Sequence, residues 1–137
     1  MNPFRSLRDY EEYVYSLASQ CSAITRSTLT VQRRGRMFAD LRGEVLLANG
    51  RRLIVYERLA WDTGPLAIIG YSYEVWSGNE QLYWYDSQPH PNDPSLAGTH
   101  PHHKHLPPNI KHNRVPAASV SFAAPNLATL IAEASGG

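Results

Sequence analysis

Hydrophobic and polar positions follow a helical period at both ends of the chain and an alternating period in between. Near the amino terminus, apolar side chains recur at intervals of three and four residues, namely Leu7, Tyr10, Val14 and Leu17. With Ser6 placed to cap the first turn, this spacing predicts a helix over residues 6–19. At the carboxyl end, Pro125 and a second apolar stripe predict another helix through Leu127, Leu130 and Ile131.

The middle of the chain is rich in β-branched and aromatic residues and is divided by turn sequences, which is typical of consecutive strands. Strands are predicted at residues 29–31, 37–47, 52–59, 68–76 and 81–86. Residues 118–122 are a candidate for one more strand, centred on Val120. The predicted architecture is α+β, with about five antiparallel strands in a meander and the N- and C-terminal helices on one face.

The turn at Asn49-Gly50 sets the predicted register of the first long hairpin. Asn-Gly readily takes the positive φ angles of a two-residue type I′ loop. Counting outward from this loop places Arg42 opposite Glu57, which would form an attractive cross-strand pair.

A second turn, at residues 77–80, sets the register of the next hairpin. Symmetric pairing about this turn places Tyr73 opposite Trp84, and Tyr71 opposite Asp86. Asp86 then lies at the exit of the last long strand and faces the start of the segment that follows.

The segment from Ser87 to Pro116 contains seven prolines and no periodic apolar pattern. Proline fixes φ and lowers the entropy lost on ordering, so we expect a long, shaped loop on or beside the sheet face opposite the helices. Disorder is the alternative, although disordered tracts usually carry a higher net charge.

The composition is that of one globular domain covering residues 1–137. Apolar residues make up 42% and charged residues 18%, and no window approaches the roughly 20 consecutive apolar residues that span a bilayer. The amino terminus lacks the apolar stretch of a secretory signal, and the single cysteine, Cys21, cannot form an internal disulfide. We therefore expect a cytoplasmic protein without a membrane partner, and the sequence leaves open whether it forms a homo-oligomer.

Charge is unevenly distributed, although the net charge is only +1. Residues 26–58 contain eight arginines and three acidic residues, whereas residues 59–86 contain four acidic residues and no lysine or arginine. Guanidinium groups bind phosphates in a bidentate fork, so an arginine-rich surface suits a polyanion such as RNA. Alternatively, these arginines serve only to solvate turns and edge strands.

All six histidines lie between positions 90 and 112, and four of them fall within residues 100–105. Imidazoles gain and lose protons near neutral pH, which makes this segment the best candidate for chemistry. The chain has no glycine-rich phosphate loop, no nucleophile elbow and no paired cysteines. Three interpretations remain open: a transition-metal site, metal-free acid/base chemistry, and solvated loop residues that bind metals incidentally.

The first interpretation is a metal site, because imidazole nitrogens together with Asp86 are suitable ligands for a transition metal. The histidine ligands would come from His90, His102, His103 or His105. Alternate residues of an extended strand point to opposite faces, so at most two or three of the clustered histidines can share one ion. A metal-dependent hydrolase is therefore one candidate function.

The second interpretation is metal-free cleavage of RNA by its own 2′-hydroxyl, which needs a base, an acid and positive charge beside the anionic phosphorane. His103 and His105 would act as acid and base, and Lys104 and nearby arginines would bind phosphate. Asp86 would orient one imidazole and stabilise its charged form.

The chain also resembles the TumE-like toxins of bacterial and archaeal toxin-antitoxin modules. The likeness covers about the central two-thirds of the chain in the family's order. It is carried by LLANGRRLIVYE at residues 46–57, Tyr71-Ser72-Tyr73, Tyr83-Trp84-Tyr85-Asp86 with Pro89-His90, and Thr99-His100-Pro101-His102-His103-Lys104-His105.

The resemblance implies a small cytoplasmic toxin that inhibits growth by cleaving RNA or by another attack on translation. It also implies a partner, a helix-turn-helix antitoxin that neutralises the toxin by direct contact. By position, the implied site residues are Glu57, Tyr73, Asp86, His90, His103, Lys104 and His105. We accordingly predict a ribonuclease-like toxin that works without a cofactor. A toxin that uses a divalent metal, or one that acts by binding alone, is the alternative.

Overall fold

The computed structural model describes residues 2–136, so Met1 and Gly137, at the ends of the predicted domain, lie outside the described residues. Within this range, eight strands form one antiparallel sheet. They are β1 Ile24–Ser27, β2 Thr30–Arg33, β3 Phe38–Leu47, β4 Arg51–Ala60, β5 Ala67–Ser77, β6 Glu80–Asp86, β7 His103–His105 and β8 Arg114–Pro116. Their spatial order is β1-β3-β4-β5-β6-β7-β8, and β2 also pairs with β3. The predicted α+β class is confirmed, but the predicted count of about five strands is too low.

Helices lie at both ends of the chain, as the apolar stripes predict. They are α1 Leu7–Gln20 and α2 Leu127–Ala134, with short 3₁₀ helices at Pro3–Arg5 and Pro94–Thr99. Helix α1 begins at the predicted cap, because the Ser6 hydroxyl accepts a hydrogen bond from the Asp9 amide at 3.1 Å. Helix α2 begins after Pro125, at Leu127. Among residues 2–136, no helix is both long and apolar enough to cross a membrane.

Strands β1, β7 and β8 are not predicted from the sequence, and they have only four, three and three residues. Strands β7 and β8 lie inside the proline-rich segment that was expected to be a loop, where three residues are too few to show an alternating pattern. The predicted strand at residues 118–122 is wrong, because this stretch is irregular. Val120 is nevertheless buried, and the carbonyl of Phe122 accepts a hydrogen bond from the amide of Ile68 at 2.8 Å.

The first long hairpin differs from the predicted register by one residue. Its connection is a three-residue loop that ends at Gly50, whose φ of +87° is natural for glycine, rather than a two-residue loop. Arg42 therefore pairs with Tyr56, and Glu57 pairs with Leu41, so the predicted pairing of Arg42 with Glu57 is wrong. Glu57 follows Leu53 and Val55 on β4 at intervals of two residues, so it points with them into the core.

The second hairpin follows the predicted register only beside its turn. A bulge leaves Leu82 of β6 without a partner on β5 and shifts the pairing beyond it by one residue. Tyr73 therefore faces Tyr85, and Asp86 faces Ser72, one position away from the predicted partners. No local feature of the sequence marks this bulge, because Leu82 fits the pattern of the strand.

The hydrophobic core lies between one face of the sheet and the two helices. The apolar stripes of both helices belong to one cluster with the inward side chains of the long strands. From the helices the cluster includes Leu7, Tyr10, Val14, Leu17, Leu127, Leu130 and Ile131, and from the strands Leu41, Val45, Leu53, Val55, Leu59, Ile68, Tyr73 and Val75. We call this covered face the inner face and the opposite one the outer face.

Strand β7 divides its three side chains between the two faces. Because side chains alternate along a strand, Lys104 points to the inner face while His103 and His105 point to the outer face. The contact of Lys104 with Glu133 of α2 confirms this assignment. The segment between β6 and β7 returns toward the outer face, where the His90 ring lies 4.8 Å from the ring of His103.

Candidate functional site

The antiparallel pairing of β6 with β7 brings a carboxylate and two imidazoles together. Asp86 is the last residue of β6 and pairs directly with His103. His105 lies two residues further along β7, and therefore on the same face. We call these three residues the Asp–His–His cluster; Asp86, His103 and His105 are 6%, 1% and 3% exposed, respectively.

The polar atoms of the Asp–His–His cluster converge on one point. His103 Nε2 lies 2.7 Å from Asp86 Oδ1, and His105 Nε2 lies 3.3 Å from Asp86 Oδ2. The two Nε2 atoms are 3.1 Å apart. From the sequence, Asp86 is expected to contact one imidazole, and in the structure it lies against two.

The other nitrogen of each ring is held by a backbone carbonyl. His103 Nδ1 lies 3.0 Å from the carbonyl oxygen of Pro101, and His105 Nδ1 lies 2.7 Å from that of Ile110. A carbonyl oxygen can only accept a hydrogen bond, so each Nδ1 carries the hydrogen. In their neutral forms, both imidazoles consequently present the lone pair of Nε2 to the Asp86 carboxylate.

The shifted pKa values within the cluster favour a negative charge on Asp86 and a positive charge on His103. Burial by itself raises the pKa of Asp86, but the hydrogen bond and charge of His103 outweigh burial and leave that pKa lowered. Burial lowers the pKa of His103, but hydrogen bonds to Asp86 and to the Pro101 carbonyl leave it raised. The pKa of His105 is lowered, because its burial outweighs the attraction of Asp86. His103 therefore holds a proton more readily than His105.

Aromatic and basic side chains surround the cluster. The Trp84 ring stacks on His105 with the ring centres 4.1 Å apart, and its Nε1 donates a hydrogen bond to Ser72 Oγ at 2.9 Å. His90, a predicted site residue, lies beside His103 and is half-buried. Arg114 Nη1 lies 2.9 Å from Nδ1 of His90. A positive charge is thus available next to the cluster on its loop side.

Lys104, another predicted site residue, does not join the cluster. Its ammonium group lies 3.1 Å from Glu133 Oε2 and 4.4 Å from the centre of the Tyr83 ring, both on the inner face. The three-residue sequence His103-Lys104-His105 therefore places the lysine and the histidines on opposite sides of the sheet.

Glu57 and Tyr73, also predicted site residues, belong to a second polar group in the core. Tyr10 donates a hydrogen bond of 2.5 Å to Oε1 of Glu57, and Tyr73 donates one of 2.5 Å to Oε2. The Glu57 side chain is 0% exposed. Asn126 donates to the Tyr73 hydroxyl at 3.0 Å. Burial raises the pKa of Glu57 to about 7, although the two tyrosine hydrogen bonds oppose the rise. We call these four residues the Glu–Tyr network.

The remaining histidines lie apart from the cluster. His102, which the sequence analysis included among the metal ligands, points the other way: its Nδ1 lies 2.7 Å from the Tyr71 hydroxyl and its ring stacks on that tyrosine. His100 and His112 are exposed. Strand parity predicted that at most two or three histidines would converge, and two do.

A row of side chains on the outer face leads across the sheet toward the cluster. Consecutive strands pair Arg42 with Tyr56, Tyr56 with Ser72, and Ser72 with Asp86. The guanidinium of Arg42 lies over the Tyr56 ring, 4.4 Å from its centre. The exposed Arg58 follows Tyr56 on the same face, two residues further along β4. The arginine-rich part of the sequence thus shares a face with the histidines.

Several contributors to the site were missed by sequence reasoning. Trp84 was noted only as a strand residue, and Arg114 was not singled out. Both could have been found only with the pairing of β7, which sets His105 between Trp84 on β6 and Arg114 on β8. The backbone carbonyls of Pro101 and Ile110 carry no sequence signal at all, because every residue has a carbonyl.

Comparison with known proteins gives one match. The sequence matches the family described as Toxin TumE over residues 14–136, which is nearly the whole chain. No curated protein and no solved structure matches it.

Proposed function

The chain belongs to the TumE toxin family, and from this premise we propose that the toxin inhibits growth by cleaving RNA at the Asp–His–His cluster. Membership implies a cognate antitoxin as its partner. The observation that carries the proposal is the convergence of Asp86, His103 and His105, all buried, beside an arginine-bearing sheet face. Titratable groups that are gathered in one place and have shifted pKa values mark a candidate functional site.

RNA is the proposed substrate because of the chemistry of the outer face. Arg42 and Arg58 are exposed there and offer guanidinium groups to phosphates. Tyr56 and Trp84 are half-buried on the same face, where bases of a single strand can stack on aromatic rings. Neighbouring strands are about 4.8 Å apart, so Tyr56 lies about 10 Å from Asp86 across two strand spacings. One RNA segment can therefore contact the arginines and the cluster together.

The proposed reaction uses the 2′-hydroxyl of RNA. The 2′-hydroxyl gives its proton to an imidazole of the cluster, O2′ bonds to phosphorus as the bond to O5′ breaks, and O5′ takes a proton from water. The products are a 2′,3′-cyclic phosphate and a 5′-hydroxyl. Positive charge near the phosphorane stabilises the transition state, and this is the role we assign to Arg114 and the outer-face arginines.

The geometry changes the division of labour proposed from the sequence. An acid and a base must stand on opposite sides of the phosphate, whereas the Nε2 atoms of His103 and His105 are 3.1 Å apart on one carboxylate. We therefore treat the two histidines as one unit. Phosphate binding is assigned to the outer-face arginines and to Arg114, because Lys104 lies on the inner face.

Purified toxin and synthetic RNA test the proposal. The toxin should cut the RNA to products with 5′-hydroxyl ends, and a single 2′-deoxy substitution at the cut position should block cleavage there. Asp86→Asn should abolish cleavage, and the exposed His112→Asn should leave it unchanged. Growth inhibition that requires Asp86 but produces no cut RNA would contradict the proposal and favour a toxin that acts by binding alone.

The antitoxin partner is proposed to be a small helix-turn-helix protein, and the site of action to be the cytoplasm, where RNA and antitoxin are both present. Expression of the toxin together with the neighbouring gene product tests the pairing. A stable complex that restores growth supports it. A neighbouring protein that neither binds the toxin nor restores growth would exclude it as the antitoxin.

A further inference from the structure

We propose that the Asp–His–His cluster is the binding site of one divalent transition-metal ion, held by a carboxylate oxygen of Asp86 and by Nε2 of His103 and His105. Two imidazoles and one carboxylate suit Zn²⁺ and similar ions better than Mg²⁺ or Ca²⁺, which prefer oxygen ligands. The catalytic role of this ion rests on the proposed function, whereas its binding to the three residues does not.

The distances within the cluster are those of ligands around one ion. Metal–ligand bonds of about 2.0–2.2 Å place neighbouring ligand atoms about 3.3 Å apart in a tetrahedron and about 2.9 Å apart in an octahedron. Here the two Nε2 atoms are 3.1 Å apart, and they lie 2.7 and 3.3 Å from different oxygens of Asp86. One ligand atom from each residue lies within 4.8 Å of the other two. Small side-chain rotations would complete the coordination, because the paired strands already hold the three residues on one face.

The outer hydrogen bonds of the two rings are those of metal-binding histidines. A ligating imidazole usually donates its other ring hydrogen to a carbonyl or carboxylate, which fixes both the tautomer and the ring orientation. Here Pro101 and Ile110 accept from Nδ1 of His103 and His105. Both Nε2 lone pairs are thereby aimed inward, as coordination requires.

The cluster has more acceptors than hydrogens without an ion. Asp86 and the two Nε2 atoms are three acceptors within 3.3 Å of one another when the imidazoles are neutral. A proton on His103 satisfies its contact with Asp86, but it leaves His105 Nε2 facing Asp86 Oδ2 with no hydrogen between them. One divalent cation satisfies all three contacts at once, and a buried acceptor without a partner is costly.

The ligand set leaves coordination positions open. Three protein ligands are typical of catalytic zinc sites, in which water or substrate occupies the remaining position. An ion here would add positive charge beside a bound phosphate and polarise a coordinated oxygen. This charge would add to that of Arg114, which pairs with His105 and lies beside His90 next to the cluster.

The test compares two asparagine substitutions in protein prepared without an affinity tag. In His105→Asn, the amide reaches about as far as Nδ1, so the hydrogen bond to Ile110 can persist while the ligand atom is lost. The matched control is His112→Asn, at an exposed histidine. Calorimetric titration with Zn²⁺ measures stoichiometry and affinity, and Co²⁺ absorption reports the coordination.

We expect the unaltered toxin and His112→Asn to bind one Zn²⁺ per chain. Removing a ligand should cost at least as much as removing its outer partner, so His105→Asn should bind Zn²⁺ at least about 10-fold more weakly. Co²⁺ should give the intense visible bands of a site with few ligands in the unaltered toxin and in His112→Asn, but not in His105→Asn. Equal Zn²⁺ binding by both variants, or no stoichiometric binding by the unaltered toxin, would overturn the proposal.

Two further measurements keep the test decisive. Circular dichroism shows whether His105→Asn folds; if it does not, Asp86→Asn replaces it, and the Co²⁺ spectrum of the unaltered toxin decides if neither folds. RNA assays separate this proposal from the proposed function. RNA cleavage that persists in chelator, in a toxin that does not bind Zn²⁺, would reject the metal site and support the ribonuclease function. Zn²⁺ binding without RNA cleavage would support the metal site and reject the ribonuclease function.

Discussion

The two buried acidic side chains among residues 2–136 lie on opposite faces of the same sheet and meet opposite kinds of partner. Glu57, on the inner face, receives a hydroxyl hydrogen on each oxygen, and the donor Tyr73 is itself satisfied by Asn126. Asp86, on the outer face, meets two ring nitrogens whose hydrogens are committed elsewhere. Both oxygens of Glu57 therefore have hydrogen-bond donors, whereas Asp86 and its two imidazoles need a proton or a cation between them.

The comparison shows that burial of an acidic residue does not by itself identify a functional site. Burial raises the pKa of Glu57 to about 7, whereas Asp86, although burial acts on it too, has a lowered pKa because of His103. Both residues belong to the one candidate site that the family resemblance implies. We infer that the Glu–Tyr network stabilises the packing of α1 and α2 on the sheet, and that the Asp–His–His cluster carries the chemistry.

The largest effect expected from this contrast is on toxicity. Asp86→Asn should lower RNA cleavage at least about 100-fold and remove growth inhibition, because it deletes the charge that binds both imidazoles. Glu57→Gln should leave growth inhibition unchanged at temperatures where the protein is folded. Plating efficiency after induction measures both. Loss of toxicity in a folded Glu57→Gln protein would place Glu57 in the functional site after all.

A smaller effect is expected on the pH dependence of stability. Glu57 has a pKa of about 7 in the folded protein against an ordinary 4.5, so the folded state binds the proton more tightly. Its stabilising contribution is full below about pH 4.5 and is lost as the pH rises through 7. At about 1.4 kcal/mol per pKa unit, the loss is at most about 3–4 kcal/mol.

Urea unfolding at several pH values measures this dependence. In Glu57→Gln the free energy of unfolding should change less between pH 4.5 and 7 than in the unaltered toxin, because the titrating group is gone. The cluster titrates in both proteins, so it cancels in the difference. Parallel curves for the two proteins would show that Glu57 does not titrate in this range.

Removing one donor from the Glu–Tyr network tests its structural role. Tyr73→Phe should lower the free energy of unfolding by about 1–3 kcal/mol, because it leaves one oxygen of buried Glu57 without a donor. Growth inhibition should persist below the unfolding temperature. Thermal unfolding and the plating assay together measure both results, and a stable but non-toxic variant would return Tyr73 to the list of site residues.

The smallest effect is expected for the lysine between the two histidines. Lys104→Met keeps most of the aliphatic stem and removes the ion pair with Glu133, which is worth about 1 kcal/mol or less. Toxicity should stay within about threefold of the unaltered protein, since two- to threefold variation is ordinary for a contact remote from the reaction. A large loss of RNA binding by this variant would show that Lys104 binds phosphate as the sequence suggested.

Much of the candidate site could be predicted from local patterns. The parity of β7 allowed His103 and His105 to share a face, and the family resemblance pointed to the same residues and to Asp86. The parity of β4 also placed Glu57 on the face of Leu53 and Val55, a signal outweighed by its apparent pairing with Arg42. The exclusion of Lys104 follows from the same alternation.

The sequence by itself determined the helices, the long strands and the grouping of the histidines, because periodicity is a local property. Only the tertiary structure decided which side chains each carboxylate meets. The loop ending at Gly50 and the bulge at Leu82 each shift a register by one residue and so change the cross-strand neighbours of Glu57 and Asp86. The pairing of β6 with β7, two strands far apart in sequence, puts Asp86 beside the histidines.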